Sequence, residues 1–296
     1  MSIPEPSLKS KMRIALLLFA MLAALCALPA AAHAEPHSRS PSKLERQVYE
    51  WVERLAERKP FQAWLSADPQ IEALGPGTHS WLVLFTKEGR EVGYMIVHAV
   101  TDGSFELGEY GTGPYPLFSR QLLERSLLES GLVTADRLAE TVAVKRYVHP
   151  FAAAWEVADG DETYWLDAKT AEQLPLLKGD WSKLFPDGRG DQPLPAAGER
   201  SVAYVMNEPF DAYERLPWLA KEAPFNAKDA RLLQKRLNAR QHLRYVIEPF
   251  GEAMLYAVPV IGYQRWSNGR IDVAVDMAGT RFLPVPPLLA KGSFYR

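Results

Sequence analysis

Between Ser80 and Tyr110 the chain alternates apolar runs with short turns: SWLVLFT, KEGR, EVGYMIVHAV, TDGS, FELGEY. Runs rich in aromatic and β-branched residues, separated by Gly- and Asp-containing turns, predict antiparallel strands in a meander. The pattern returns twice. TVAVKRYVHP, AAAWEV and TYWLDA make a second strand group around the turn ADGDE, and SVAYVM, HLRYVIE, AMLYAVPVIGYQRW and RIDVAVDM make a third. Ser267-Asn268-Gly269 joins the last two runs, and its Asn-Gly pair predicts a type I′ hairpin with positive φ at both central residues.

Helices punctuate these groups. Ser42 reads as an N-cap with Glu45 three residues on, followed by the stripe Leu44, Val48, Trp51, Val52 and Leu55, which ends or kinks at Pro60. FQAWLSADPQIEAL predicts a second short helix interrupted near Pro69. Phe118 to Leu128 predicts a helix stopped by Gly131, and Asn226 to Ala239 another, with Asn226 as N-cap, Asp229 behind it and Leu232, Leu233 and Leu237 on one face. PVPPLLAKGSFYR is expected to form a short helix and a tail. No repeat of 20 to 50 residues recurs. The fold class is therefore α+β, antiparallel meanders packed with a few helices in two units. Residues 175–200, rich in proline and glycine, are the expected linker between an α+β region at 35–174 and a β-rich unit at 201–296. Trp181 and Phe185 within that linker predict that it packs against the protein.

The first 34 residues carry the features of a secretory leader. Lys9, Lys11 and Arg13 precede an apolar stretch from Ile14 to Leu28, and Ala32-His33-Ala34 is a small-x-small cleavage site, so cleavage is expected after Ala34. About 15 apolar residues fall short of the roughly 20 needed to span a bilayer, and no later segment is long and apolar enough. The competing reading of Cys26 as a lipidated residue is opposed by bulky Leu25 before it. Cys26 is the only cysteine; its removal with the leader would exclude disulfides, thiolate metal sites and a cysteine nucleophile. Three positive charges and one negative charge would leave with the leader, taking the formal net charge from −2 to −4. Such a mild balance gives no reason to expect nucleic acid or anionic lipid as a partner.

Chemistry-bearing motifs are sparse. His37, His79, His98, His149 and His242 form no H-x-x-x-H or H-x-H pair, so no metal site is expected. Asp159, Asp161 and Glu162 share a turn without the ligand order of a calcium loop. Arg189-Gly190-Asp191 falls in loop-like sequence and reads as loop composition. No G-x-S-x-G elbow, P-loop or dinucleotide fingerprint occurs, so no cofactor is expected. The tryptophans extend over the whole chain; Trp181, Trp218 and Trp266 stand in turn- or proline-rich contexts suited to lining a groove.

Two stretches resemble known families. TYWLDAKTAEQLPL, residues 163–176, is similar to the strand-turn signature of PepSY-type and peptidase-propeptide domains in Tyr164, Leu166, Asp167, Ala168, Thr170 and Glu172. Ala171 stands where those families place a glycine, at a position that implies a left-handed turn. With the preceding strands this resemblance covers about residues 80–170, and it implies a small extracytoplasmic module associated with secreted peptidases. YAVPVIGY, at 256–263, resembles the closing strands of papain-like peptidases of the bacterial leader-processing type, with Tyr256 on the histidine position and Asp276 on the aspartate position. A phenol cannot serve there as a general base near neutral pH, so this resemblance implies a catalytically empty relative.

These readings lead to the expectation of a secreted, non-catalytic protein that binds a peptide, a secreted peptidase or the cell envelope, with Trp218, Tyr256, Trp266 and Asp276 as the ligand groove. Two alternatives stand beside it. One is a hydrolase combining Asp276 or Glu248 with His98, His149 or His242, and the other is a purely structural surface protein.

Overall fold

The computed structural model describes residues 42–186, 194–225 and 230–296. The expected leader with Cys26, His37, Arg189-Gly190-Asp191, and the capping residues Asn226 and Asp229 lie outside the described residues. Residues 43–296 form one compact α+β unit, and no helix among the described residues is long and apolar enough to cross a membrane.

A ten-stranded antiparallel sheet runs through this unit. Its first half is β1 (Asp68–Ala73), β2 (Ser80–Lys87), β3 (Arg90–Ala99) and β4 (Phe105–Thr112). Its second half is built from β8 (Ser201–Met206), β9 (Leu243–Ile247), β11 (Tyr256–Trp266), β12 (Ile271–Asp276), β13 (Thr280–Pro284) and β14 (Ser293–Tyr295). The halves meet where Gly111 and Tyr110 of β4 pair with Arg281 and Phe282 of β13. Strands from both sides of residues 175–200 thus share one sheet. The long strand β11 serves two partners on one edge: its first half pairs with β9 and its second with β8. Gly262 sits at the change-over, where an added Cβ would stand 2.1 Å from Val205 O. A second sheet holds β5 (Val142–His149), β6 (Ala152–Asp159) and β7 (Glu162–Asp167), while β10 (Pro249–Glu252) is a short strand between β9 and β11.

Period-two alternation gives the large sheet two apolar faces. On one, α1 (Lys43–Ala56) and a 3-10 helix (Lys59–Ser66) bury Val48, Trp51, Val52, Leu55, Phe61 and Trp64 against Val83, Phe85, Met95, Ile261, Ala274 and Phe282. The other face meets the small sheet. Tyr94 and Ile96 pack with α2 (Arg120–Glu129) and with Trp155 and Val157. Further along, Val258, Val273 and Val275 pack with Phe151, Ala154, Trp165 and α4 (Ala230–Asn238). The helix α3 (Asp180–Leu184) brings Trp181 onto Trp165, ring centroids 5.4 Å apart and nearly parallel, and Phe185 packs beside it, so residues 180–185 lie on the core as these aromatics indicated.

Several local expectations are corrected. Asp68–Ala73 is an edge strand and not the end of a helix, because it pairs with β2 from Asp68↔Thr86 to Ala73↔Trp81. The β11–β12 hairpin forms, but Gly269 alone of its loop residues has positive φ, at 90°. Trp266 N–H bonds Arg270 O at 2.8 Å, closing a three-residue loop in place of the type I′ turn. The tail after α5 (Val285–Lys291) is the strand β14, paired with β9.

Candidate functional site

Polar side chains gather in a closed region beside the Lys169 turn and in an open region on β9. The closed one lies where β7 ends against the large sheet. Asp167 Oδ1 accepts the backbone N–H of Lys169 at 2.7 Å and of Thr170 at 2.8 Å, and Asp167 N–H bonds Glu172 O at 2.8 Å. Ala171 in this turn has φ 55°, a left-handed conformation in which alanine bears a steric cost that glycine escapes.

The turn drives Lys169 inward until the residue is 2 % exposed. Its Nζ donates to Tyr115 O and lies 5.9 Å from the Tyr94 ring centre. Burial, and next the Arg281 charge, lower the Lys169 amine to about 7, against the opposing pull of Glu109, Asp167 and Asp276. Arg281 bonds Glu109 Oε2 through Nη2 at 2.7 Å and Nε at 3.1 Å, both side chains fully buried, and the Tyr94 hydroxyl donates to the same oxygen. Tyr256 donates to Asp167 Oδ2 at 2.6 Å. Burial and then that carboxylate hold its phenol well above the ordinary range. Tyr256 and Asp276, chosen from sequence, therefore both come into the surroundings of Lys169, while Asp167 and Lys169 themselves were not singled out as site residues.

Trp266 and Trp218 stand elsewhere, so the four expected residues do not line one groove. Trp266 is 0 % exposed at the far end of β11, about 30 Å from Tyr256 at roughly 3.3 Å per residue. Its Nε1 donates to Asp272 Oδ2, an oxygen shared with the Tyr110 hydroxyl, while Arg270 Nε takes Oδ1. Trp218 packs edge-on against Tyr213 and Tyr295.

The open region is on the outer side of β9. Leu243, Tyr245 and Ile247 face the main core, so the alternation turns Arg244 and Val246 outward, with His242 just ahead of the strand. Residues 210–222 lie over them and leave a cavity of about 490 Å³ lined by Glu214, Arg215, Gln241, His242, Arg244 and Arg296. Phe210 stacks on the His242 ring at 4.2 Å and lies 5.0 Å from the Arg244 guanidinium. Arg244 Nε donates to Ala212 O at 2.8 Å, and Arg215 Nη2 bonds both oxygens of Glu222 at 2.7 Å. Exposed Tyr213 and Leu216 flank the lining residues Glu214 and Arg215 in sequence, and Leu219, also exposed, follows three residues on. Sequence reasoning missed Arg244; the available signal was a cation on the outward register of a strand whose other register is wholly apolar.

His98 and His149 have local partners. Ser80 Oγ lies 2.7 Å from His98 Nδ1, the two residues facing each other across β2 and β3. Burial, then Arg270, lowers His98 to about 4, which makes it a weak base at neutral pH. His149 Nδ1 accepts Phe151 N–H. Among the described residues no group of three or more His, Cys, Asp or Glu side chains could hold a metal ion. No protein-family model, curated protein or solved structure matches this chain.

Proposed function

We propose that the chain is a non-catalytic binding or regulatory protein working outside the cytoplasm, and that its recognition surface is the cavity on β9 with the apolar rim of residues 213–219. The observation that carries this reading is an open cavity with charged walls, two of whose lining residues, Glu214 and Arg215, stand in a segment that also exposes Tyr213, Leu216 and Leu219. Polar walls that orient a ligand beside apolar surface that buries it are the usual makings of a peptide or protein contact. By contrast the amine of Lys169 is enclosed, and Tyr256 fills the position that the peptidase resemblance reserves for histidine.

The test is capture of partners from the extracytoplasmic fraction of the source cell by the purified protein and by a Tyr213→Ala/Leu219→Ser variant. Both positions are exposed, so the variant should keep the parent melting temperature and lose the partner. Hydrolysis of peptides by the purified protein, surviving repurification, would overturn the reading. A wholly structural role is the second reading, favoured by cores that mix residues of 43–170 with residues of 201–296; it requires that the rim substitutions change no association.

A further inference from the structure

Arg244 is a buried cation with an incomplete set of partners. The residue is 3 % exposed, and among the described residues its side chain makes one hydrogen bond, from Nε to Ala212 O. Among the described residues Nη1 and Nη2 have no acceptor. The other two buried arginines differ: Arg270 spends its Nη groups on Leu107 O, Gly108 O and Pro195 O, and Arg281 on Glu109, Met277 and Pro150 O. Glu214, which shares the lining, and Asp211, which accepts the Tyr213 N–H, are the carboxylates acting on Arg244, but among the described residues neither hydrogen-bonds its Nη groups. Arg244 is withdrawn from the bulk solvent while its Nη groups are left to the open cavity, where two donors are free for an anion in place of water.

We infer that the cavity takes the carboxylate of a peptide C-terminus, with Arg244 Nη1 and Nη2 as its paired donors. The Phe210 ring occupies the face of the guanidinium, so the remaining donors lie in its plane, and two coplanar oxygens match that fork. A single monoanion suits the local charge better than a phosphate dianion, because Glu214 shares the lining and Asp211 lies close by, opposing further negative charge. Arg215, Arg296 and His242 complete the charged and titratable lining, and Gln241 offers an amide for the peptide backbone. Exposed Tyr213, Leu216 and Leu219 give an apolar terminal side chain a surface to cover. The inference rests on the binding role proposed above and names the group that role recognises.

Isothermal titration calorimetry of the full chain at neutral pH and low salt tests it with four probes: N-acetyl-glycyl-glycyl-leucine, its C-terminal amide, sodium acetate and inorganic phosphate. The free acid should bind about tenfold or more tightly than the amide and than acetate. Arg244→Gln should erase the difference between acid and amide, and Glu214→Gln, at an exposed position, should tighten the acid. Equal affinity for acid and amide, equal affinity for acid and acetate, tighter binding of phosphate than of the acid, or an unchanged affinity of Arg244→Gln for the acid would each overturn the inference. Should Arg244→Gln fail to fold, the acid and amide comparison on the natural chain decides alone. Failure here with partner capture through Tyr213 and Leu219 intact sinks only the carboxylate assignment, whereas loss of both sinks the binding role.

Discussion

Tyr256 and Asp167, 89 residues apart in sequence, meet in a buried 2.6 Å hydrogen bond that ties the first residue of β11 to the turn closing the small sheet. Asp167 Oδ1 is held by two backbone N–H groups of its own turn, so the phenol is the described donor to Oδ2. Tyr256→Phe keeps the ring against Phe151 and removes this donor alone. A buried carboxylate oxygen left without it should lower stability by about 1–3 kcal/mol. Urea unfolding checks this, with an unchanged m-value expected. A variant as stable as the parent would mean that Asp167 finds water or another donor.

The Glu109–Arg281 pair makes a different demand, because both side chains are fully buried. Glu109→Gln and Arg281→Met each leave one charge without its counter-ion, which should cost about 3–5 kcal/mol apiece. The double variant removes both charges, so its loss should be well below the sum of the single losses. A double-mutant cycle by chemical denaturation reads the coupling directly. Strict additivity would show that the two groups do not stabilise each other.

How far the sequence was legible follows from the range of each signal. Strands β2, β3, β4 and β11 and the stripe of α1 were legible because alternation and helical spacing are local. β1 was not, since Pro69 and its polar neighbours obscure an edge strand whose hydrogen bonds are all with β2. The joining of β4 to β13 rests on two residue pairs about 170 positions apart, for which no local pattern exists. At the candidate sites, family resemblance led to Tyr256 and Asp276, yet Lys169 reads in sequence as an ordinary turn lysine. Trp266 reads as a groove residue because of its turn context, whereas Asp272 accepts its indole N–H deep in the sheet.

His98 should make the protein acid-sensitive over a defined window. Its folded value is about 4 against an ordinary 6.5, owing first to burial and then to Arg270. Between those limits the unfolded chain binds a proton that the folded chain refuses, so stability falls as pH drops from 6.5 towards 4 and levels off below. The loss should be up to about 3 kcal/mol. His98→Gln, which keeps a polar partner for Ser80, should flatten that part of the profile in urea unfolding measured across the window. An equal slope in the variant would place the acid sensitivity elsewhere.

Lys169 sets the corresponding window on the alkaline side. Its amine titrates at about 7 in the folded protein against 10.5 ordinarily, through burial first and Arg281 second. Across that interval the unfolded chain again holds the extra proton, so stability rises with pH from about 7 to 10.5 and is lowest and flat below 7. The buried ammonium thus costs the fold on the order of 4 kcal/mol at and below neutrality. Lys169→Met keeps a long apolar stem beside Tyr94 and gives up the bond to Tyr115 O, a smaller loss of about 1 kcal/mol. The variant should therefore exceed the parent in stability at pH 6, and the gap should close as pH approaches 10. Denaturant titrations of both proteins across this range supply the difference curve. A flat curve would mean that the amine keeps its proton on folding, either through closer pairing with Asp167 and Glu109 or through water reaching Nζ, and the neutral form would then have no place in the closed cluster.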